Sequence, residues 1–326
     1  MAIHRARDKV MTTKPTLSVI YRTDDFDPAY LARATEHFFA ASSEAAKRAG
    51  FEFRAIPVNE LSPSCVGQPQ LWHRGKDLLR TRQFFQVDDF SWDPQTAHHL
   101  KAVCRTVRES DSILLNHSFV EAEHLTTDKL AIAQRATRLG LSAPLTVAVP
   151  FGRYARTAIP LIEEKIGPGP YIVKPREMGM GFGVIKVNTI EQLSTTLDVT
   201  TQTGMGYIVQ EFIPNFGDLR AYVINKQVVA TQHRRPPQGR YLSNISQGGD
   251  STLGAPDTGI NAATVRIAES LNASCLQVDW LLSDSGPIVN EWSSGFGGYS
   301  ALPEPERTQV SNAYFGWART LLRGGR

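Results

Sequence analysis

The sequence predicts an α/β protein with several α+β lobes, for three reasons. Near its start, an apolar run (TLSVIY, residues 16–21), a helical stretch (28–50) and a second apolar run (51–58) give strand, helix, strand. That order opens a parallel layer. From 128 to 212, short apolar runs keep alternating with helical stretches. From 219 onward the pattern changes to paired strands, at 219–224 with 227–231 and at 276–282 with 288–292.

Each element has a local reason. Gly50 stops the first helix. Residues 96–110 read as a helix and 111–116 (DSILLN) as a short strand. The stretch 61–95 is assigned partly to strand and partly to loop. Thr127 or Asp128 can cap a helix over 128–139, and Gly140 sits at its end. A strand at 145–149 and a helix at 158–166 follow. Strands at 171–174 and 184–187 then flank a glycine-rich loop. Thr189-Ile190-Glu191-Gln192 is a capping-box pattern, opening a helix that ends by Gly204. Residues 207–212 form a strand, Asn225-Lys226 a hairpin turn, and 261–271 a helix.

Bulk properties narrow the function. The chain has 326 residues, enough for two or three modest lobes, with 41% hydrophobic and 21% charged residues. A net charge of +3 gives no reason to expect a nucleic-acid or membrane partner. The three cysteines, Cys65, Cys104 and Cys275, lie far apart, against a disulfide framework or a zinc site. Reduced thiols, no apolar leader and no run long enough to cross a membrane lead to the expectation of a cytoplasmic protein. Residues 1–14 are expected to be a disordered tail.

Three pieces carry chemistry. In Tyr171-Ile-Val-Lys174-Pro-Arg-Glu-Met-Gly179-Met-Gly181-Phe-Gly183, a strand ends in a lysine and a loop with alternate glycines follows. Such a backbone can approach a ligand and turn its N–H groups toward phosphate oxygens, with the lysine adding charge. A flexible hairpin loop is the plainer alternative. Asp218-Leu-Arg220 places an acid and a base on one strand face, as surface ion pairs also do.

The third piece is Asp279 to Ser293 (DWLLSDSGPIVNEWS). A five-residue turn, 283–287, would keep Pro287 out of the ladder and set Asp279 opposite Glu291, with Ser293 on the same face. Opposed carboxylates need a cation between them, and hard magnesium shared with phosphates suits the site. A register one residue different would put the two acids on opposite faces. Lys129 could offer a second charge to phosphate. Arg234, Arg235 and Arg240, with Asn244, lie in a polar stretch that could grip an anion or form an exposed loop.

Together these pieces resemble the ATP-grasp superfamily, most closely its ribosomal-protein glutamate ligase and peptide ligase branch. The resemblance runs from about Asn116 to Gly298 and includes Gln210-Glu-Phe-Ile213 and Leu242-Ser-Asn244 with Gly248-Gly249. It implies an ATP-grasp fold behind an N-terminal parallel α/β domain at 15–119. The ATP-grasp domain would span 120–326, with a central and nucleotide-lid lobe at 120–213 and a catalytic lobe at 214–326. It implies ATP, and Mg2+ or Mn2+, as cofactors. Lys129, Lys174, Gly179, Gly181, Gly183 and Asp218 would meet the nucleotide, and Glu211, Phe212 and Ile213 would form its hinge contact. Asp279, Glu291 and Ser293 would ligate the metal. Arg220 and Arg235 would stabilise the phosphorylated carboxylate, and Asn244 would lie near the terminal phosphate.

The implied activity is an ADP-forming ligase joining a small-molecule or peptide carboxylate to an amine through an acyl phosphate. A kinase or peptide cyclase on the same scaffold, or a non-catalytic nucleotide-binding module, are the alternatives. A homodimer is compatible with the resemblance. The chain departs from the family pattern at Ser293, where asparagine is usual, at Leu242, where arginine is usual, and at Gly295-Phe-Gly-Gly298, which replaces a Pro-Gly.

Overall fold

The computed structural model describes residues 14–23, 27–118, 127–244, 248–254, 257–294 and 298–322. Residues 1–13 of the expected tail, the expected boundary at 119/120 and part of the 295–298 segment lie outside these.

The N-terminal part holds a parallel four-stranded sheet. Its strands are β1 (Thr16–Tyr21), β2 (Glu52–Pro57), β6 (Phe84–Val87) and β7 (Ile113–Leu114), in the order β2-β1-β6-β7. The expected first helix is present as α1 (Pro28–Ala34), a π-helical turn (Thr35–Phe39) and α2 (Ala40–Arg48). The second is α3 (Pro94–Arg108), whose Asp93 cap accepts from the Thr96 N–H.

The stretch at 61–95 resolves into a small antiparallel sheet of β3 (Leu61–Cys65), β4 (Pro69–His73) and β5 (Lys76–Asp77), followed by β6. Pro63 and Pro69 obscure β3 and β4, because proline is tolerated only at strand edges and ends. Strand β6 is buried throughout although it carries Gln86, whose carbonyl accepts from the Tyr314 hydroxyl at 2.7 Å.

The central part is an antiparallel sheet, β10-β9-β11-β8, built from β8 (Thr146–Ala148), β9 (Tyr171–Pro175), β10 (Ile185–Val187) and β11 (Tyr207–Glu211). Helices α5 (Ile159–Ile166) and α6 (Ile190–Thr200) cover it, sharing a core of Ile162, Tyr171, Val173, Leu193 and Val209. Thr189 caps α6 as its sequence requires, accepting from the Gln192 N–H while the Gln192 side chain accepts from the Asn188 N–H.

The C-terminal part is a five-stranded antiparallel sheet, β14-β13-β12-β15-β16. Its strands are β12 (Asp218–Ile224), β13 (Gln227–Arg235), β14 (Asp250–Leu253), β15 (Cys275–Ser283) and β16 (Gly286–Ser293). Helices α4 (Lys129–Arg138) and α7 (Thr258–Ser270) pack on one face, where Ile132, Ala136 and Ile267 meet Val278, Trp280 and Trp292. Helix α4 thus shares a core with this sheet. The last helix, α8 (Glu306–Thr320), joins the two ends of the chain. Its Tyr314 and Phe315 share a core with Phe51, just before β2, with Phe84 of the first sheet and with Tyr222 and Cys275 of the last.

Candidate active site

A cleft of about 820 Å³ lies between the central and C-terminal sheets. Strand β9 brings Lys174 to its floor, and the loop after it brings Met178, Gly179, Gly181 and Phe182 over it. Gly181 and Gly183 have φ of +74° and +67°, and Met180 adopts +63°. A side chain on Gly183 would meet Pro175 at 2.9 Å, so the chain can turn there only without a Cβ.

Beyond β11, Glu211, Phe212 and Ile213 line the same cleft. Glu211 is fixed by the Leu145 N–H at 2.8 Å, and Lys186 sits 3.5 Å over the Phe212 ring. The segment carrying Tyr241, Leu242, Ser243 and Asn244 closes the cleft from the C-terminal side. The Tyr241 hydroxyl ties that segment to the central sheet, accepting from Lys186 N–H at 3.2 Å and donating to Val184 C=O at 2.9 Å.

Two lysines are held side by side. Asp128 caps α4 through the Leu130 N–H and also binds the Arg176 guanidinium. The Lys129 N–H donates to Arg176 C=O at 2.9 Å. Helix α4 and the end of β9 are thereby locked together. Lys129 donates to the Met178 carbonyl and lies 3.6 Å from Glu291, while Lys174 donates to Asn290 Oδ1 at 3.2 Å. Burial, with the neighbouring Lys129 charge adding to it, pushes the Lys174 ammonium down to about 8 against the pull of Glu291.

The carboxylates occupy the floor of the last sheet. Asp279 is opposite Glu291, as expected, but by a different route. The turn is two residues, Ser283 pairs with Gly286, and Pro287 does lie in the ladder opposite Leu282. A bulge at Asn290 then shifts the register by one and restores the facing of the two acids. Pro287 is tolerated because β16 is an edge strand.

A second bulge, at Val229, corrects an assignment. An unbroken hairpin turning at Asn225-Lys226 would set Arg235 on the face of Asp218 and Arg220. The bulge flips that phase, so Arg234 stands opposite Asp218 and Arg235 is exposed outside the cleft. Arg234 is only 3% exposed and bridges Asp218 Oδ1 at 2.6 Å and Asp279 Oδ2 at 2.8 Å. Arg220 grips Asp279 bidentately at 2.7 and 2.8 Å. Burial alone would raise the Asp279 carboxyl, but Arg220 and Arg234 together hold it well below the usual range. Burial pushes Asp218 up to about 6, against the attraction of Arg234.

Of the expected residues, Lys129, Lys174, Gly179, Gly181, Glu211, Phe212, Ile213, Asp218, Asn244, Asp279 and Glu291 line the main cleft. Arg220 and Ser293 line an adjoining cavity of about 410 Å³, which shares Lys129, Asp279 and Glu291 with it. Gly183 lies behind the loop and Arg235 outside. Asn290 and Asp89, which no sequence pattern marks, also line these cavities, as does Arg234. Arg234 was in view as one of a polar cluster, and the bulge that selects it leaves no mark in composition.

Magnesium fits the donor set. Asp279, Glu291 and Ser293 offer only hard oxygens, and Asn290 adds a fourth. Three of the roughly four acceptor positions of Asp279 are filled by arginine, which leaves Oδ1 room for a cation.

Residues 126–301 match the RimK-like ATP-grasp domain. The chain belongs to that family. Among RimK-like relatives, a probable alpha-L-glutamate ligase of Stenotrophomonas maltophilia (strain K279a) is 31% identical over 192 residues, 58% of this chain and 61% of that protein. The chain thus spans about three fifths of the length of the first curated relatives it matches. A probable alpha-L-glutamate ligase of Nitrosococcus oceani is 26% identical over 257 residues, 78% of this chain and 82% of that one.

The RimK-like chain also shares its fold with solved ATP-grasp structures. D-cycloserine synthetase DcsG aligns with a TM-score of 0.67 at 16% identity, covering 94% of this chain and 99% of the other. The macrocyclase MdnC of Microcystis aeruginosa MRC, bound with precursor peptide MdnA, aligns at 0.65 and 14%, covering 95% and 100%. The fold is therefore ATP-grasp, with a parallel sheet at its N-terminal end. Among the described residues, no helix is long and apolar enough to cross a membrane.

Proposed function

We propose that this chain is an ATP-dependent carboxylate–amine ligase that releases ADP and phosphate. The observation that carries the reading is the convergence of Lys129 and Lys174, under the glycine-rich loop, on the Asp279–Glu291 pair across one cleft. Phosphoryl transfer is mostly positioning and charge stabilisation, and this cleft supplies both. The two lysines and the backbone of residues 179–183 would hold phosphates, and residues 211–213 the base. Asp279, Glu291 and Ser293 would hold Mg2+, which would neutralise phosphate charge. Arg220, at the boundary of the two cavities, and Asn244 would steady the charge that develops on the transferred group. Arg234 tunes that charge by setting Asp279.

A substrate carboxylate placed in the smaller cavity would take the terminal phosphate, and an amine would then displace it to form an amide. The names of the relatives make glutamate the first amine to test. No nucleic-acid or membrane partner enters this reading. A kinase or a cyclase would differ in product, and a homodimer would not alter the site.

Calorimetry of ATP binding with and without magnesium, on wild type and Glu291→Ala, tests the site. Magnesium-dependent binding lost in Glu291→Ala is the expected result. Phosphate release that needs both an acid and an amine, with an amide seen by mass spectrometry, tests the reaction. Phosphate release with the amine alone and no amide product would overturn it.

A further inference from the structure

Asp89 lies just past β6, at the carboxyl end of the N-terminal parallel sheet, where open α/β sheets present their ligand-facing groups. It is 4% exposed, and its carboxylate reaches across to the end of the C-terminal sheet. Its Oδ2 accepts from Ser293 Oγ at 2.9 Å, from the Ser294 N–H at 2.9 Å and from Ser294 Oγ at 3.1 Å. All three donors belong to Ser293 and Ser294, two and three residues past Glu291 at the end of β16. Ser293 lines the smaller cavity beside Asp279 and Glu291.

The aspartate is held in place from behind. The Asn116 side chain bonds both the N–H and the C=O of Val87, at 3.2 and 2.6 Å. Arg22 binds Asp88 at 3.2 Å and the Phe90 carbonyl at 3.3 Å. The residues on either side of Asp89 are thus pinned, and its carboxylate has one place to be.

An ionised carboxylate only accepts hydrogen bonds, whereas a hydroxyl has one proton and two lone pairs. With its proton committed to Asp89, Ser293 turns its lone pairs the other way. We propose that Asp89 of the N-terminal domain is the positioning residue that makes Ser293 a competent metal ligand. The serine is shorter and less basic than an amide carbonyl, and the carboxylate behind it supplies the orientation and electron density that it lacks. The arrangement parallels the carboxylate that orients a metal-bound histidine. It also makes the N-terminal domain part of the metal site. This inference rests on the ATP and magnesium reading above.

The test is Mn2+ affinity, read by electron paramagnetic resonance in the presence of a non-hydrolysable ATP analogue, on the full chain. Asp89→Ala is expected to weaken Mn2+ binding about 10- to 100-fold. Asp89→Asn, which keeps an acceptor but not the charge, is expected to fall between, and serves if the alanine variant does not fold. Asp89→Ala added to Ser293→Ala is expected to cost little more than Ser293→Ala alone. Ser293→Asn in the Asp89→Ala background is expected to restore affinity to within about threefold of wild type, because a carbonyl ligand needs no proton acceptor behind it. A wild-type site that binds no Mn2+ with nucleotide would overturn this inference and the metal reading together. Wild-type binding that Asp89→Ala or Asp89→Asn leaves within twofold, or additive losses in the double variant, would overturn this inference alone.

Discussion

Replacing Arg234 by methionine would test the buried charge network at its centre. Arg234 is 3% exposed and is shared by Asp218 and Asp279. Asp279 would keep its bidentate Arg220, so the uncompensated charge falls on Asp218. Removing one partner of a buried pair costs about 3–5 kcal/mol, and the surviving Arg220 contact places the expected loss near the lower end, about 3 kcal/mol at pH 8. For a chain of this size that is a drop in melting temperature of about 4 °C.

The loss should depend on pH. Burial already raises Asp218 to about 6 in the intact protein, and without Arg234 its carboxyl would rise further. A carboxyl raised on folding binds its proton more tightly in the folded state. The stability this gives is present at low pH and is lost as pH rises through the folded value. Arg234→Met should therefore cost least near pH 5.5 and most near pH 8, and Asp218→Asn added to it should flatten the profile. Urea denaturation across that range measures this. A pH-independent cost under about 1 kcal/mol would mean the charges are screened by water, as for surface pairs, and would refute the argument.

Two further predictions concern the nucleotide. Lys174 carries its charge below about 8, so nucleotide affinity should hold steady to neutral pH and fall as pH rises past 8. Arg at this position should flatten that fall, and a wild-type affinity unchanged to pH 9.5 in calorimetry would count against it. A Cβ on Gly179 would sit 2.8 Å from the Phe90 ring, so Gly179→Ala should displace the loop and weaken nucleotide binding about tenfold. Phe90→Ala should restore most of it, and a titration showing no rescue would place the damage elsewhere.

Much of the fold is legible in the sequence wherever one residue pattern decides one element. Thr16–Tyr21 reads as the strand it is, and Asp128 and Thr189 cap the helices that they announce. The opposition of Asp279 and Glu291 was also legible, although the turn assumed for it was three residues too long and the bulge at Asn290 made up the difference. What sequence does not show is phase. The bulge at Val229 decides whether Arg234 or Arg235 enters the cleft, and a valine in a strand gives no sign of being the extra residue. Nor does local sequence show partners distant along the chain. Asp89 meets Ser293 across 204 positions, and Trp92 packs against Phe182 in a tilted pair, 4.1 Å between ring centres. The same holds for Gln86 in β6, where a glutamine in a buried strand makes sense only once Tyr314 is beside it.

The bond from the Lys129 backbone to Arg176, and the grip of Asp128 on that arginine, have an electrostatic consequence. The two ammonium groups cannot relieve their repulsion by drifting apart, because the helix and strand that carry them are fastened by main chain and by a buried carboxylate. Their mutual field therefore stands ready before any anion arrives. A triphosphate entering the cleft would meet dipoles and charges already in final position, and little reorganisation would remain to be done at the moment of transfer.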